Sequence, residues 1–198
     1  MAQLIRASGR QCLSCCLRVL LVFFLVSTFF LPKTASSATD AVEIERQVKA
    51  AYLYKFGSYV EWPENVFPSI TSPLIVGVVG ADLLADELAR IALGRTIGGR
   101  PVTVRKLRAD EVLTGVNVLF IGRSSASRLV DILAAVKGHP LLTVTESEDA
   151  LAAGSMINLV VVDGKVRFEA SPKAAGVSNL NISARLLAAA YKIAAGTS

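Results

Sequence analysis

Few side chains in this sequence could do chemistry. His139 is the one histidine. A Ser-His-Asp triad would have to use it, and no G-x-S-x-G elbow is present to carry the serine. A zinc site would need Asp and Glu for nearly every ligand, because Cys12, Cys15 and Cys16 all lie near the amino end. Between Gly138 and Pro140, His139 reads as a loop histidine facing solvent, and it is the best residue an enzyme reading could offer. Gly77-Val78-Val79-Gly80-Ala81-Asp82 opens a helix after a strand, but the spacing is neither G-x-G-x-x-G nor G-x-x-x-x-G-K-[ST]. Asp82 suits a helix amino end, where a carboxylate meets the dipole. Glu146, Glu148 and Asp149 are explained in the same way. The expectation is no catalytic set, no cofactor and no metal.

Arg95, Arg100, Arg105, Lys106 and Arg108 form the one basic cluster. On an alternating strand near a sheet edge, such charges form a solvated face and discourage edge pairing. Arg100 and Arg105 are the candidates here for an anion or partner contact.

The elements that must position these residues follow from periodicity. Val42 to Trp62 reads as a helix, with Ile44, Val48, Ala51, Tyr52, Phe56, Tyr59 and Val60 inward, Asp40 as N-cap and Glu45–Lys49 paired on the outer face. Pro63 ends it. Leu74–Val79 and Val116–Ile121 are short apolar runs suited to strands buried on both faces. Pro101–Leu107 alternates, as a strand with one wet face does. Asp82–Leu93 and a segment from Ser124 or Ser125 to Lys137 read as helices, the second stopped by Gly138. Leu141–Thr145 reads as a strand. Thr145-x-x-Glu148 resembles a capping box that opens a short helix to Ala153. Asp163-Gly164 between Met156–Val162 and Lys165–Ala170 marks a hairpin. A last helix is expected from Ile182 to Ala194, capped by Asn181. The fold class is α/β: a mainly parallel sheet of five to six strands, helices on both faces and a terminal antiparallel hairpin.

Charge at first suggests a nucleic-acid or membrane-surface protein, since 198 residues carry a net +5. Residues 1–38 change that. They hold Arg6, Arg10, Arg18 and Lys33, no acid, and the uncharged run Val19–Leu31, followed by Pro32 and a stretch ending Ala35-Ser36-Ser37-Ala38. This is the pattern of an export signal cleaved after Ala38; the alternative is an uncleaved membrane anchor, for which the apolar run is short against the ~20 residues of a span. Removing four of the 21 cations leaves 17 against 16 acids, a charge near +1. A nucleic-acid partner then has no dense basic face to bind. The expected domains are a signal peptide at 1–38 and one α/β domain at 39–198, with no membrane span once the signal is removed.

Four stretches carry a family resemblance: VKAAYLYKFGSYVEWPENVF (Val48–Phe67), PLIVGVVGAD with GRPVTVRKL after it, NVLFIG (Asn117–Gly122), and GSMINLVVVDGKVRFEASPKAAG followed by LNISARLLAAA. Together they resemble the YfiR-like family of bacterial periplasmic proteins. The resemblance implies a non-enzymatic regulator that binds the periplasmic part of a membrane signalling protein, represses a diguanylate cyclase and lowers cyclic-di-GMP. A homodimer is implied too. Where the family usually shows Phe-Glu-Ile-Asn, this chain has Phe168-Glu169-Ala170-Ser171. No cysteine follows Cys16, so disulfide control does not carry over. Tyr54 and Trp62 fall off the apolar stripe of the first helix. With Arg100, Arg105 and Ser171 they are the candidate partner-binding residues. The competing expectation is a periplasmic sensor of a small anion, seated at the turn after the first apolar strand.

Overall fold

Short apolar runs closed by glycine or proline become the central strands. The structure, a computed structural model, describes residues 36–111 and 113–194. Most of the expected signal segment lies outside them. The chain divides after Asp40, and the unit Ala41–Ser198 carries the sheet. In chain order the strands are β1 (Val60–Glu61), β2 (Leu74–Val79), β3 (Thr96–Ile97), β4 (Arg100–Leu107), β5 (Val118–Ile121), β6 (Leu142–Thr145), β7 (Ile157–Val162), β8 (Lys165–Ala170), β9 (Asn181–Ile182) and β10 (Lys192–Ile193). The helices are α1 (Ser36–Phe56), α2 (Asp82–Ala92), α3 (Leu129–Val136), α4 (Pro172–Val177) and α5 (Ala184–Ala188).

Eight strands form one mixed sheet in the order β10-β8-β7-β6-β5-β2-β4-β3, and β1 pairs with β9 apart from it. The expected five to six strands were too few, because β3 and β10 extend the edges. Five strands, β4-β2-β5-β6-β7, run parallel. Numbered by appearance their order is 2-1-3-4-5, a doubly wound arrangement whose direction switches between β2 and β5. The Asp163-Gly164 turn joins β7 to antiparallel β8, with φ of +50° and +69° at its two residues, as a two-residue hairpin requires.

The two faces of the sheet are covered unequally. One core takes Val76, Val78, Val118, Phe120, Leu142, Val144, Ile157 and Leu159 from the strands. It is closed by Leu53 and Phe56 of α1, Leu84 and Leu88 of α2, Ala175 of α4 and Leu186 of α5. Phe168 meets Tyr52 and Phe56 edge-on, at 5.7 and 5.3 Å between ring centres. The other core holds Val79, Leu119 and Ile121 under a single helix, α3, through Leu129, Ile132, Leu133 and Val136. The alternation along β5 is the strand period of two. Helices do lie on both faces, but among the described residues the β4–β5, β6–β7 and β7–β8 connections contain none.

Several expected elements differ, each for a physical reason. Helix α1 ends at Phe56 and gives way to a 3-10 turn at Gly57–Tyr59. Its start at Ser36 places Asp40 inside the helix and not at its cap. Val42, Ile44 and Val48 are exposed, because the apolar stripe runs beyond the core it packs on. From Glu146 to Met156 there are turns and no helix: Thr145 Oγ1 is buried and bonds to Ser155, Asn158 Oδ1 and the Ile157 carbonyl, so it cannot cap. The last expected helix is only α5, capped by Ser183, whose Oγ accepts from Leu186 N–H at 3.3 Å. The chain then turns, and β10 takes the free edge of β8, with Tyr191 N–H on the Phe168 carbonyl at 2.8 Å. Strand β4 is covered at its outer edge by the two-residue β3.

Candidate binding surfaces

In a doubly wound sheet the expected ligand crevice lies at the carboxyl ends of β2 and β5. Here the two loops fill it. Gly122 N–H donates to the Val79 carbonyl at 2.8 Å, and Ser124 Oγ donates to the Gly80 carbonyl at 2.7 Å. A Cβ on Gly122 would lie 2.5 Å from the Gly80 oxygen, so the backbones touch. Ser124 closes this crevice and does not cap a helix, and the turn after β2 offers no room for an anion.

Beside the closed crevice sits a buried charge cluster. Lys49 is 5% exposed, and its Nζ lies 2.5 Å from both Glu45 Oε1 and Glu146 Oε2. The Glu45–Lys49 pair is present as expected, but it faces inward. Glu146 also accepts from Arg123 N–H at 3.1 Å, through Oε1. Lys49 therefore ties α1 to the loops after β5 and β6.

The basic cluster is largely used within the fold. Arg100 Nη1 donates to the carbonyls of Ser69 and Ser72 at 2.6 and 3.1 Å, and its guanidinium lies 3.9 Å from the Phe67 ring centre. Arg105 reaches Glu111 at 3.2 Å and the Thr114 carbonyl at 3.4 Å. Lys106 pairs with Asp86 at 2.6 Å, and Arg108 with Asp110 at 3.3 Å. The Asp86 hydrogen bond raises the Lys106 pKa, while that from Arg90 holds Glu87 below the usual carboxylate range. Both are surface ion pairs, and neither points to an acid–base site. Arg100→Lys keeps the charge but loses the planar fork. A loss of about 1–2 kcal/mol is expected in chemical denaturation.

The other sequence candidates occupy distinct places. Tyr54 is half-buried against the main core and donates its hydroxyl to the Thr96 carbonyl at 3.1 Å. Trp62 packs edge-on to Phe67, 6.0 Å between ring centres. Tyr54, Trp62 and Arg100 all border β3 or the segment before β2. Ser171 lies elsewhere, 7% exposed, and caps α4 by accepting from Ala174 N–H at 3.3 Å. His139 is exposed beside the amino end of β6. Among the described residues, no three His, Cys, Asp or Glu side chains converge to hold a metal ion.

Two grooves open on the sparsely covered face, each beside connections that lack a helix. The larger, about 1590 Å³, lies over β7, β8 and β10 and is lined by Arg123, Asn158, Val160, Glu169, Ser171 and Lys192 among others. Asn158 is buried in its floor, bonded to Thr145, with its Nδ2 3.4 Å from Glu169 Oε2. The smaller, about 720 Å³, runs along α3 at the amino ends of β5 and β6. Sequence reasoning missed both. Their trace was a stretch without periodicity after Leu107, and an asparagine inside the apolar run INLVVV.

The family model that matches this sequence is described as YfiR/HmsC-like, and the match covers residues 46–191. The chain belongs to the YfiR/HmsC-like family. The YfiR/HmsC-like match begins three residues before Lys49 and ends at Tyr191, so it takes in Lys49 and Glu146 of the charge cluster, the smaller groove, most of the larger one and the sheet up to β10. Among solved structures the chain is similar to "the ABC domain in complex with L-Trp" from Streptococcus pneumonia, at 10% identity and a TM-score of 0.52, over 76% of this chain and 60% of that one. It is also similar to a conserved domain protein from Vibrio cholerae O1 biovar eltor str. N16961, at 13% identity and a TM-score of 0.49, over 75% and 60%. This chain thus spans about 60% of the length of each, and the first likeness supports the α/β fold of the YfiR/HmsC-like chain alone.

Proposed function

We propose that the chain is a periplasmic, non-enzymatic regulator that binds the outer-facing part of a membrane-bound diguanylate cyclase and lowers cyclic-di-GMP. Family membership supports this class of function. One structural observation carries the binding surface: neither the β6–β7 connection nor the β7–β8 hairpin brings a helix, so the sheet face over β7, β8 and β10 is left as a broad groove. Ser171 borders that groove, in the place where the resemblance sets the family's asparagine. Val160 offers an apolar contact there, and Lys192 a charge at the rim. Export fits the basic, apolar start of the sequence, and no helix among the described residues is long and apolar enough to cross a membrane. Tyr54, Trp62 and Arg100 make up a second surface, away from the groove; they and Arg105, which bonds Glu111 and the Thr114 carbonyl beside the smaller groove, belong to the same proposal as partner contacts. A homodimer is part of it too, although α5 is too short to supply the long apolar helix the sequence suggested.

Deleting the gene and measuring cellular cyclic-di-GMP tests this. Its level is expected to rise in the deletion strain. Val160→Arg or Lys192→Glu, at half-buried and exposed positions, should reproduce the rise while the protein remains folded. An unchanged level under every growth condition would remove cyclase control from the proposal. Groove variants that restore a low level as well as the wild type does would remove the groove.

A further inference from the structure

The smaller groove contains a polar group with no protein partner. Asn117 is 6% exposed and lines the groove. Its backbone N–H donates to the Ile75 carbonyl at 2.9 Å, and its own carbonyl accepts from Leu142 N–H at 2.8 Å. Its side-chain Oδ1 accepts from Ile75 N–H at 2.8 Å. An amide N–H can be answered only by an acceptor, so this bond fixes which end of the side chain is oxygen. The Nδ2 donor is left without a hydrogen bond among the described residues. Two backbone bonds fix the main chain at Asn117, and the Ile75 N–H bond holds its side chain at the groove wall.

The walls around it are apolar. Val116, Ile132, Val136 and Leu141 are each at most 6% exposed and line the same groove, which at about 720 Å³ is in the range of small-molecule sites. The cations near its rim are already matched: Arg128 with Asp131 at 3.4 Å, Arg105 with Glu111 at 3.2 Å, and Arg108 with Asp110 at 3.3 Å. Among the described residues no arginine at the rim is left over for an anion, and His139 is the remaining basic side chain on the lining. An apolar cleft with one fixed donor and a balanced rim selects a neutral body with one acceptor. Such an acceptor would pair the side-chain donor of Asn117 that has no hydrogen bond among the described residues.

We propose that this groove binds a neutral, mainly aliphatic small molecule through a carbonyl oxygen that accepts from Asn117 Nδ2. The site is separate from the regulator's partner groove and does not depend on that reading. It also sits at the amino ends of the strands, opposite the closed crevice.

The test is a titration of the isotope-labelled protein with hexanamide and 2-heptanone, followed by NMR, with hexanoate and hexylammonium as charged counterparts. The neutral probes should give saturable shifts at residues 116, 132, 136 and 141. The charged probes should bind about tenfold or more weakly, a difference of about 1.4 kcal/mol. Asn117→Asp keeps the acceptor for Ile75 N–H and removes the donor, so the neutral probes should weaken by a similar factor. Ala135→Trp, at an exposed position that lines the groove, fills it without touching Asn117 and should abolish binding even if the aspartate variant fails to fold. No saturable binding of either neutral probe, equal binding of hexanoate, or unchanged binding in Ala135→Trp would each overturn the proposal.

Discussion

Lys49→Met is expected to lower the stability of the folded chain by about 3–5 kcal/mol, the usual cost of leaving a buried ionic partner alone. Melting should fall by roughly 10 °C or more in a domain of this size. The reason is the asymmetry of the cluster. Glu45 keeps 31% of its side chain in water, but Glu146 keeps only 10%. Without the ammonium, Glu146 retains Arg123 N–H at 3.1 Å, while the Arg123 guanidinium Nε stays 3.9 Å from its Oε2. A single backbone donor does not replace a cation at 2.5 Å. The double variant Lys49→Met with Glu146→Gln removes both buried charges and should recover much of the loss. Thermal or urea unfolding of the two variants checks this. A Lys49→Met protein that melts with the wild type would show that the ion pair contributes nothing.

Gly122→Ala should cost about 2–3 kcal/mol, at the upper end of overpacking penalties. The cause is steric and not conformational. Gly122 has φ −78° and ψ 165°, a backbone that alanine adopts freely. Its Cβ would lie 2.5 Å from the Gly80 oxygen and 2.8 Å from the Ala81 Cβ. The Gly80 carbonyl would have to move, and the Ser124 hydroxyl bond to it would break. Faster hydrogen exchange at residue 122, whose N–H is held by Val79, would report the opening. Gly138→Ala is the control: Gly138 has open space around it, and only its φ of +79° resists a side chain. It should cost about 1 kcal/mol. Equal effects of the two substitutions would mean that the loops after β2 and β5 do not interlock.

How far the sequence could be read depended on the range of the forces involved. Apolar runs such as LIVGVV and VNVLFI are local signals, and they became β2 and β5. The Asp163-Gly164 turn is local too, and it formed. Glu45 and Lys49 were correctly paired at four residues' spacing, but Glu146 lies 97 residues from Lys49, and only the fold joins them. Residues 189–194 read as helix, yet the open edge of β8 captured Lys192 and Ile193 as a strand, a tertiary demand that overrides local preference. Thr145-x-x-Glu148 matched a cap in sequence, but buried Ser155 and Asn158 claimed the threonine hydroxyl first. Of the candidate site residues, Arg100 was visible as a cation, but its place over Phe67 was not. The grooves arise where, among the described residues, no helix stands between β4 and β5, between β6 and β7, or between β7 and β8. A missing element leaves little trace in a pattern search.

The contacts of α1 set an order in time. Its Lys49 needs Glu146, and its Tyr52 and Phe56 need Phe168. Just after it, β1 needs β9 at residues 181–182. A chain that emerges amino end first therefore presents its first helix more than a hundred residues before the last of these partners exists. Contacts so distant along the chain make for slow folding. Until then the aromatic face of α1 stays uncovered, and a growing chain in that state is prone to aggregate. Loss of the carboxyl-terminal thirty residues would remove β9, α4 and α5 and leave that helix half-docked.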